Sequence, residues 1–255
     1  MLSSSELVKI DELIREPYVK VLCYPKLDFN IAIKRINELK SLKVDSILFE
    51  GRIKIGKLGV IGKGCVSIVV KASTNFGILA LKIRRIDANR VSMKREAEMQ
   101  LIANSINVGP KLFEATENFL LMEFIEGCSI LEWLKRIEEH KIEEIRRIFR
   151  DLLDQCYRMD KLNLDHGELS NPNKHVIISE KPVIIDFESS SVNRRVSNLT
   201  KIVQYLFIRG PMAKKLRQIL SIEDEKIIIE LMRNYKKEKD WISYLRLLEI
   251  LNLAQ

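Results

Sequence analysis

Two periods of apolar residues share this chain, and the change from one to the other organises it. From Ile53 to Phe124 apolar residues recur at every second position or in short runs bounded by Gly, Asn and Pro. That pattern predicts strands. It is seen over Ile53–Leu58, Gly59–Lys71 and Ile78–Ile83, and again over Lys111–Ala115 and Phe119–Phe124, which the turn at Glu117-Asn118 joins. A helical period interrupts the strands from Val91 to Ser105 and stops at Asn107-Val108-Gly109-Pro110, as Gly and Pro require.

Beyond Gly127 the helical period takes over. Ser129 to Glu139 carries Ile130, Leu131, Trp133, Leu134 and Ile137, and Lys141 to Asn163 carries a longer stripe from Ile142 to Met159. These stripes predict core-facing helices. About three more amphipathic helices are expected between Lys201 and Gln255, with the charge run Lys236–Asp240 as a solvated turn. The first fifty residues are mixed. Ser3-Ser4-Ser5-Glu6 is placed to cap a short helix bearing Leu7, Ile10, Leu13 and Ile14. Val19–Tyr24 reads as a strand, and Asp28 opens a helix to about Leu42. The pattern predicts an α+β protein in three parts: an N-terminal extension over 1–50, a strand-rich part over 51–126 and a helical part over 127–255. The extension is either a small module that docks a partner or a buttress for the strand-rich part.

Candidate chemistry is densest at the end of the first long helix. His166-Gly167-Glu168-Leu169-Ser170-Asn171-Pro172-Asn173 is followed, after a short run, by Pro182-Val183-Ile184-Ile185-Asp186-Phe187-Glu188. An acid, an amide five residues on and a second acid thirteen beyond that surround a small hairpin. Mg-ATP phosphoryl transfer needs such a set, with one group to orient or deprotonate the acceptor and two oxygen donors for metal. Upstream, Gly62-Lys63-Gly64 lies between strand-like segments, where missing Cβ atoms let backbone amides approach phosphate. Strand rather than helix follows it, which disfavours a dinucleotide-binding turn. Lys82 ends an Ile-Leu-Ala-Leu run, and Glu96 and Glu98 sit about 200° apart on the next helix, so that one at most faces the lysine.

These residues resemble the protein kinase-like superfamily. His166-Gly167-Glu168 stands where kinases have His-Arg-Asp or His-Gly-Asp, Asn173 matches the catalytic-loop Asn, and Asp186-Phe187-Glu188 matches Asp-Phe-Gly. The sequence is most similar to small atypical archaeal kinases, namely the RIO kinases and the kinase subunit of the KEOPS tRNA-modification complex. The resemblance spans about Ile53 to Phe207 and implies a bilobal fold, with a strand-rich N-lobe and a minimal helical C-lobe. It implies Mg2+ and ATP as cofactors, Gly62 and Gly64 at the phosphates, and Lys82 on the α- and β-phosphates with Glu96 as its partner. It further implies Met122 as gatekeeper, the backbone of Glu123 and Ile125 at the adenine edge, Asn173 and Asp186 on metal, and Glu168 on the acceptor hydroxyl.

The resemblance implies an atypical Ser/Thr protein kinase or ATPase, tied to ribosome or tRNA-modification machinery, acting on a protein substrate. The segment from Ser189 to Ser197 is short and no Ala-Pro-Glu comes after it, unlike signalling kinases that receive extended peptides. Glu168 replaces the usual Asp and Glu188 the usual Gly. Choline and ethanolamine kinases also have Asp-Phe-Glu, so a small-molecule kinase of the choline or aminoglycoside type is an alternative. A nucleotide-binding pseudokinase module is another.

Composition narrows the partners. The 255 residues are 46% apolar and 31% charged with only 10 Gly and 6 Pro, a folded rather than disordered balance. The net charge of +8 favours anionic partners, such as nucleotide or an RNA–protein particle, against the plainer reading of solvated helix surfaces. Four cysteines without Cys-x-x-Cys spacing and three histidines argue against structural zinc. The cysteines are expected to serve as small apolar core residues. No signal peptide or bilayer-spanning stretch is expected, which makes the cytoplasm the default compartment and excludes a membrane partner.

Overall fold

A computed structural model describes residues 6–138, 140–222 and 224–254. The chain divides into two compact units. One holds the chain up to Glu98 together with Pro110–Phe124, and the other holds Met99–Gly109 and the chain from Ile125 onward.

The first unit is built on an antiparallel sheet. Its strands are β1 (Glu6–Lys9), β2 (Val44–Phe49), β5 (Gly62–Lys63), β6 (Ser67–Thr74), β7 (Gly77–Arg84), β8 (Leu112–Ala115) and β9 (Phe119–Glu123). The order is β1-β2-β6-β7-β9-β8, with β5 also pairing β6. A separate hairpin joins β3 (Ile53–Ile55) and β4 (Leu58–Val60). Strand alternation sorts the two sheet faces. Leu79, Leu81 and Ile83 of β7 and Phe119 and Leu121 of β9 enter the main core of the unit, while Leu120 joins Met93 and Ala97 in a smaller cluster on the other face. Lys82 pairs with Leu120 across β7 and β9 and so belongs to that second face.

Residues 6–50 supply β1, β2, α1 (Val19–Leu22) and α2 (Phe29–Ser41). Asp28 caps α2 by accepting the Ile31 N–H at 3.0 Å, and Ala32, Ile36 and Leu39 are buried beneath it. Two local expectations differ here. The segment from Glu6 to Lys9 is a strand and not a helix, because β2 offers it a ladder from Phe49 to Ser46. Ser3–Ser5 lie outside the described residues. The Val19–Tyr24 segment is a helical turn and not a strand. It lies between Pro17 and Pro25 and buries Val19, Val21 and Leu22 together, and a run this short carries no readable period.

The second unit is helical around a small sheet. α3 (Lys94–Asn104) runs into it, followed by α4 (Ile130–Arg136) and α5 (Ile142–Lys161). The sheet pairs β10 (Cys128–Ser129), β11 (Val176–Ile178) and β12 (Pro182–Ile184). Then come α6 (Asn198–Gln204), α7 (Ala213–Ile219), α8 (Glu225–Glu238) and α9 (Trp241–Ile250). Ser129 caps α4, which ends at Arg136, short of the expected Glu139; that residue, like Gln255, lies outside the described ones. The stripe of α5 is buried as its spacing requires, from Ile145 through Leu152 to Met159. Gln155 on α5 donates to the Pro182 carbonyl at 2.7 Å and holds β12 against the helix. The buried Asp160 accepts the N–H groups of Asn198 and Leu199 at 3.0 and 3.3 Å and so fixes the start of α6. Cys23 and Cys156 are buried, but Cys65 is exposed at the tip of the β5–β6 hairpin, against the expectation that all four serve the core.

Candidate active site

Each unit carries its own set of polar residues. In the first, the β5–β6 hairpin closes with Gly62 opposite Val69 and with the Gly64 N–H donating to the Ser67 carbonyl at 2.8 Å. Neither Gly62 nor Gly64 has the positive φ that would demand glycine. A Cβ on Gly64 would meet only the Ser67 oxygen, at 3.7 Å, and one on Gly62 would meet the Val69 side chain at 3.4 Å. The hairpin itself therefore does not demand glycine at Gly64, where a Cβ would make only an ordinary contact.

On the second sheet face, the Lys82 ammonium donates to Glu96 Oε1 at 2.6 Å, with the two side chains only 5% and 4% exposed. Glu98, two residues on, is exposed. Such a buried pair costs much desolvation, so its burial is more readily understood as positioning a charge than as stabilising the unit. Met122 is partly buried and pairs with Ala80 across β7 and β9. The Glu123 N–H donates to the Lys111 carbonyl at 2.9 Å. Ile125 is the first residue of the second unit's long stretch.

In the second unit the acid–amide–acid segment is held from below. His166 is fully buried; its backbone N–H donates to Asn198 Oδ1 at 2.9 Å, and its Nε2 lies 2.9 Å from the Ile185 carbonyl. Burial pushes its pKa down to about 4, so the ring is neutral and Nε2 is the donor to that carbonyl. Gly167 comes next with φ +94°, and a Cβ there would lie 2.7 Å from Arg194 Nη2 and 2.8 Å from the Ser189 carbonyl. That contact explains why no side chain follows the histidine. Asp186 also has a left-handed φ of 69°, a strain that non-glycine residues accept where the surroundings impose it. Phe187 behind it is fully buried against the His166 ring, 5.3 Å between centroids.

The pairing of the hairpin brings Glu168, Asp186 and a residue that sequence reasoning missed into one cluster. The His175 N–H donates to the Pro172 carbonyl, and the His175 carbonyl accepts the Ile185 N–H at 2.9 Å, which sets His175 beside Asp186. Its Nε2 lies 3.9 Å from Glu168 Oε2 and its Nδ1 lies 3.9 Å from Asp186 Oδ2. Donor atoms of Glu168, His175 and Asp186 all fall within 4.8 Å of one another, a set able to hold a cation. Asn173 Oδ1 and His175 Nδ1 are buried without a hydrogen-bond partner among the described residues. A buried oxygen left in this way fits a metal ligand. A signal for His175 was present, since it is one of only three histidines and lies two residues past Asn173.

A strand-rich unit with a glycine hairpin and a buried Lys–Glu pair, joined to a helical unit with an acid–amide–acid hairpin, defines a protein kinase-like α+β fold. The family model of the RIO domain matches residues 69–203, more than half of the chain, and the chain belongs to that family. It is a family of atypical protein kinases and ATPases, and membership implies ATP binding. The chain is also similar to the uncharacterized protein MJ1211 of Methanocaldococcus jannaschii, 28% identical over 118 residues that cover 46% of this chain and 99% of that protein. Among the described residues no helix is long and apolar enough to cross a membrane.

Proposed function

We propose that this protein transfers the γ-phosphate of Mg-ATP to a hydroxyl group, of a Ser or Thr side chain or of water. The observation that carries the reading is the buried Lys82–Glu96 pair at 2.6 Å in a chain of the RIO family. A buried ammonium held by one carboxylate oxygen is a preorganised point charge for phosphate oxygens. Gly62 and Gly64 leave the hairpin without Cβ atoms where phosphate oxygens would approach. Asn173 and Asp186 would supply the oxygen donors for Mg2+, which would neutralise developing phosphate charge. Glu168 orients the acceptor hydroxyl and takes its proton. The adenine edge is assigned to Met122 and the backbone of Glu123 and Ile125. The strand-rich part over 51–126 and the helical part over 127–255 are read as the two functional lobes. The +8 charge fits a partner in an RNA–protein particle of the ribosome or of tRNA modification, and the place of action is read as the cytoplasm.

Transfer of labelled γ-phosphate to a basic protein or to water tests this reading. Asp186→Ala is expected to lower the rate by roughly 100-fold or more, and Glu168→Asp is expected to keep or raise it. A second reading, a nucleotide-binding module without transfer, rests on the extra methylene of Glu168, which moves its carboxylate by about an ångström from where an Asp would hold it. ATP binding with no transfer, in wild type and in Glu168→Asp alike, would establish that reading instead.

A further inference from the structure

We propose that His175 binds the divalent ion of the second unit through Nδ1, beside Asp186, so that the site favours ions that accept nitrogen, from Mn2+ to Zn2+, over Mg2+. The inference deepens the phosphotransfer reading and rests on it only for the role of the ion. His175 is 7% exposed, and its Nδ1 has no hydrogen-bond partner among the described residues. Leaving such a nitrogen buried and unpaired is costly, and a ligand would offset that cost. At 3.9 Å its two contacts with carboxylates are too long for hydrogen bonds. The Nδ1–Asp186 separation is right for two donors around one ion, since bonds of about 2.1 Å put neighbouring ligands roughly 3–4 Å apart.

The imidazole has two nitrogens and the structure gives each a different neighbour. Nδ1 faces Asp186 and Nε2 faces Glu168. Nε2 faces Glu168 at 3.9 Å, so a proton on that nitrogen points towards a carboxylate and leaves the Nδ1 lone pair for metal. The Ile185 N–H bond to the His175 carbonyl keeps the ring beside Asp186. Two carboxylates face this imidazole, so a cation suits the spot better than a water molecule. The second buried atom without a partner, Asn173 Oδ1, belongs to the same turn. Mg2+ prefers oxygen and retains water, whereas one imidazole shifts preference along the Mn2+-to-Zn2+ series.

The test uses the full chain without nucleotide. Mn2+ is added and pulsed electron paramagnetic resonance is read for 14N modulation, while Co2+ affinity is followed by visible absorption in competition with Mg2+. The wild type is expected to show imidazole nitrogen on Mn2+ and to prefer Co2+. His175→Ala is expected to lose the nitrogen signal and to weaken Co2+ by about tenfold or more, with a smaller loss for Mg2+. Circular dichroism reports whether the variant is folded. Wild-type Mn2+ without nitrogen coupling, or His175→Ala with wild-type Co2+ affinity, would overturn the inference. Phosphate transfer enters neither readout, so its failure would leave this result standing, and the converse also holds.

Discussion

Lys82 and Glu96 form a buried ion pair at 2.6 Å. Removing one partner takes from the other buried charge its counterion at 2.6 Å, at a cost of about 3–5 kcal/mol. Urea unfolding of Lys82→Met and Glu96→Leu should therefore each show a large loss. The double variant should recover much of it and still transfer no phosphate; additive losses would mean that the two charges are not coupled. His166 gives a second prediction at this scale. Its folded pKa of about 4 lies below the ordinary 6.5 because burial disfavours the cation. The unfolded chain binds that proton first, so the stability it contributes is complete above pH 6.5 and falls away as pH drops towards 4, by ~3 kcal/mol in all. Asp160 titrates with the opposite sign, since burial raises its pKa. The fair measurement is thus the difference in unfolding free energy between wild type and His166→Gln across that range. A difference that does not change with pH would contradict the buried neutral ring.

The glycines separate structural from functional demands among the elements. At Gly167 and Gly109 the backbone φ is positive, and a Cβ would press on Ser189 and Arg194 or on the Phe187 ring at 2.6 Å. Gly167→Ala and Gly109→Ala should each destabilise the protein by about 1–3 kcal/mol. Gly64→Ala should leave the unfolding midpoint nearly unmoved yet weaken ATP binding, because only the Ser67 oxygen lies within reach of the new methyl. Calorimetry with and without ATP distinguishes the two classes; a large stability loss in Gly64→Ala would show that the hairpin itself needs the glycine. At the same scale, Asn118 joins three elements. Its side-chain oxygen accepts from Arg35 at 3.0 Å and Arg84 at 2.8 Å, and its amide donates to Glu38 at 2.8 Å. Asn118→Ala removes these bonds, and a second one from Arg84 at 3.2 Å, while Arg35 stays buried, and a loss of about 2–3 kcal/mol is expected on urea unfolding.

Across the whole molecule, legibility followed the range of the interactions. The α5 stripe and the β6–β7 pair were readable because a long helix face and an alternating hairpin carry their period locally. β1 was not, since its four residues become a strand only through β2, nearly forty residues on. Leu7, Ile10, Leu13 and Ile14 imitate a helix face that the fold does not use. The acid–amide–acid spacing was visible as a motif. His175 was not, because a lone histidine has no spacing partner until β11 and β12 pair and bring Asp186 beside it. The most direct test of phosphotransfer at this site is γ-phosphate transfer from Mg-ATP by wild type and by Lys82→Met, Asp186→Ala and Glu168→Asp. Phosphotransfer that depends on Lys82 and Asp186 requires transfer in wild type, its loss in the first two variants and its retention in the third. Equal transfer by wild type and Asp186→Ala, or ATP binding with no transfer in any of them, would contradict it.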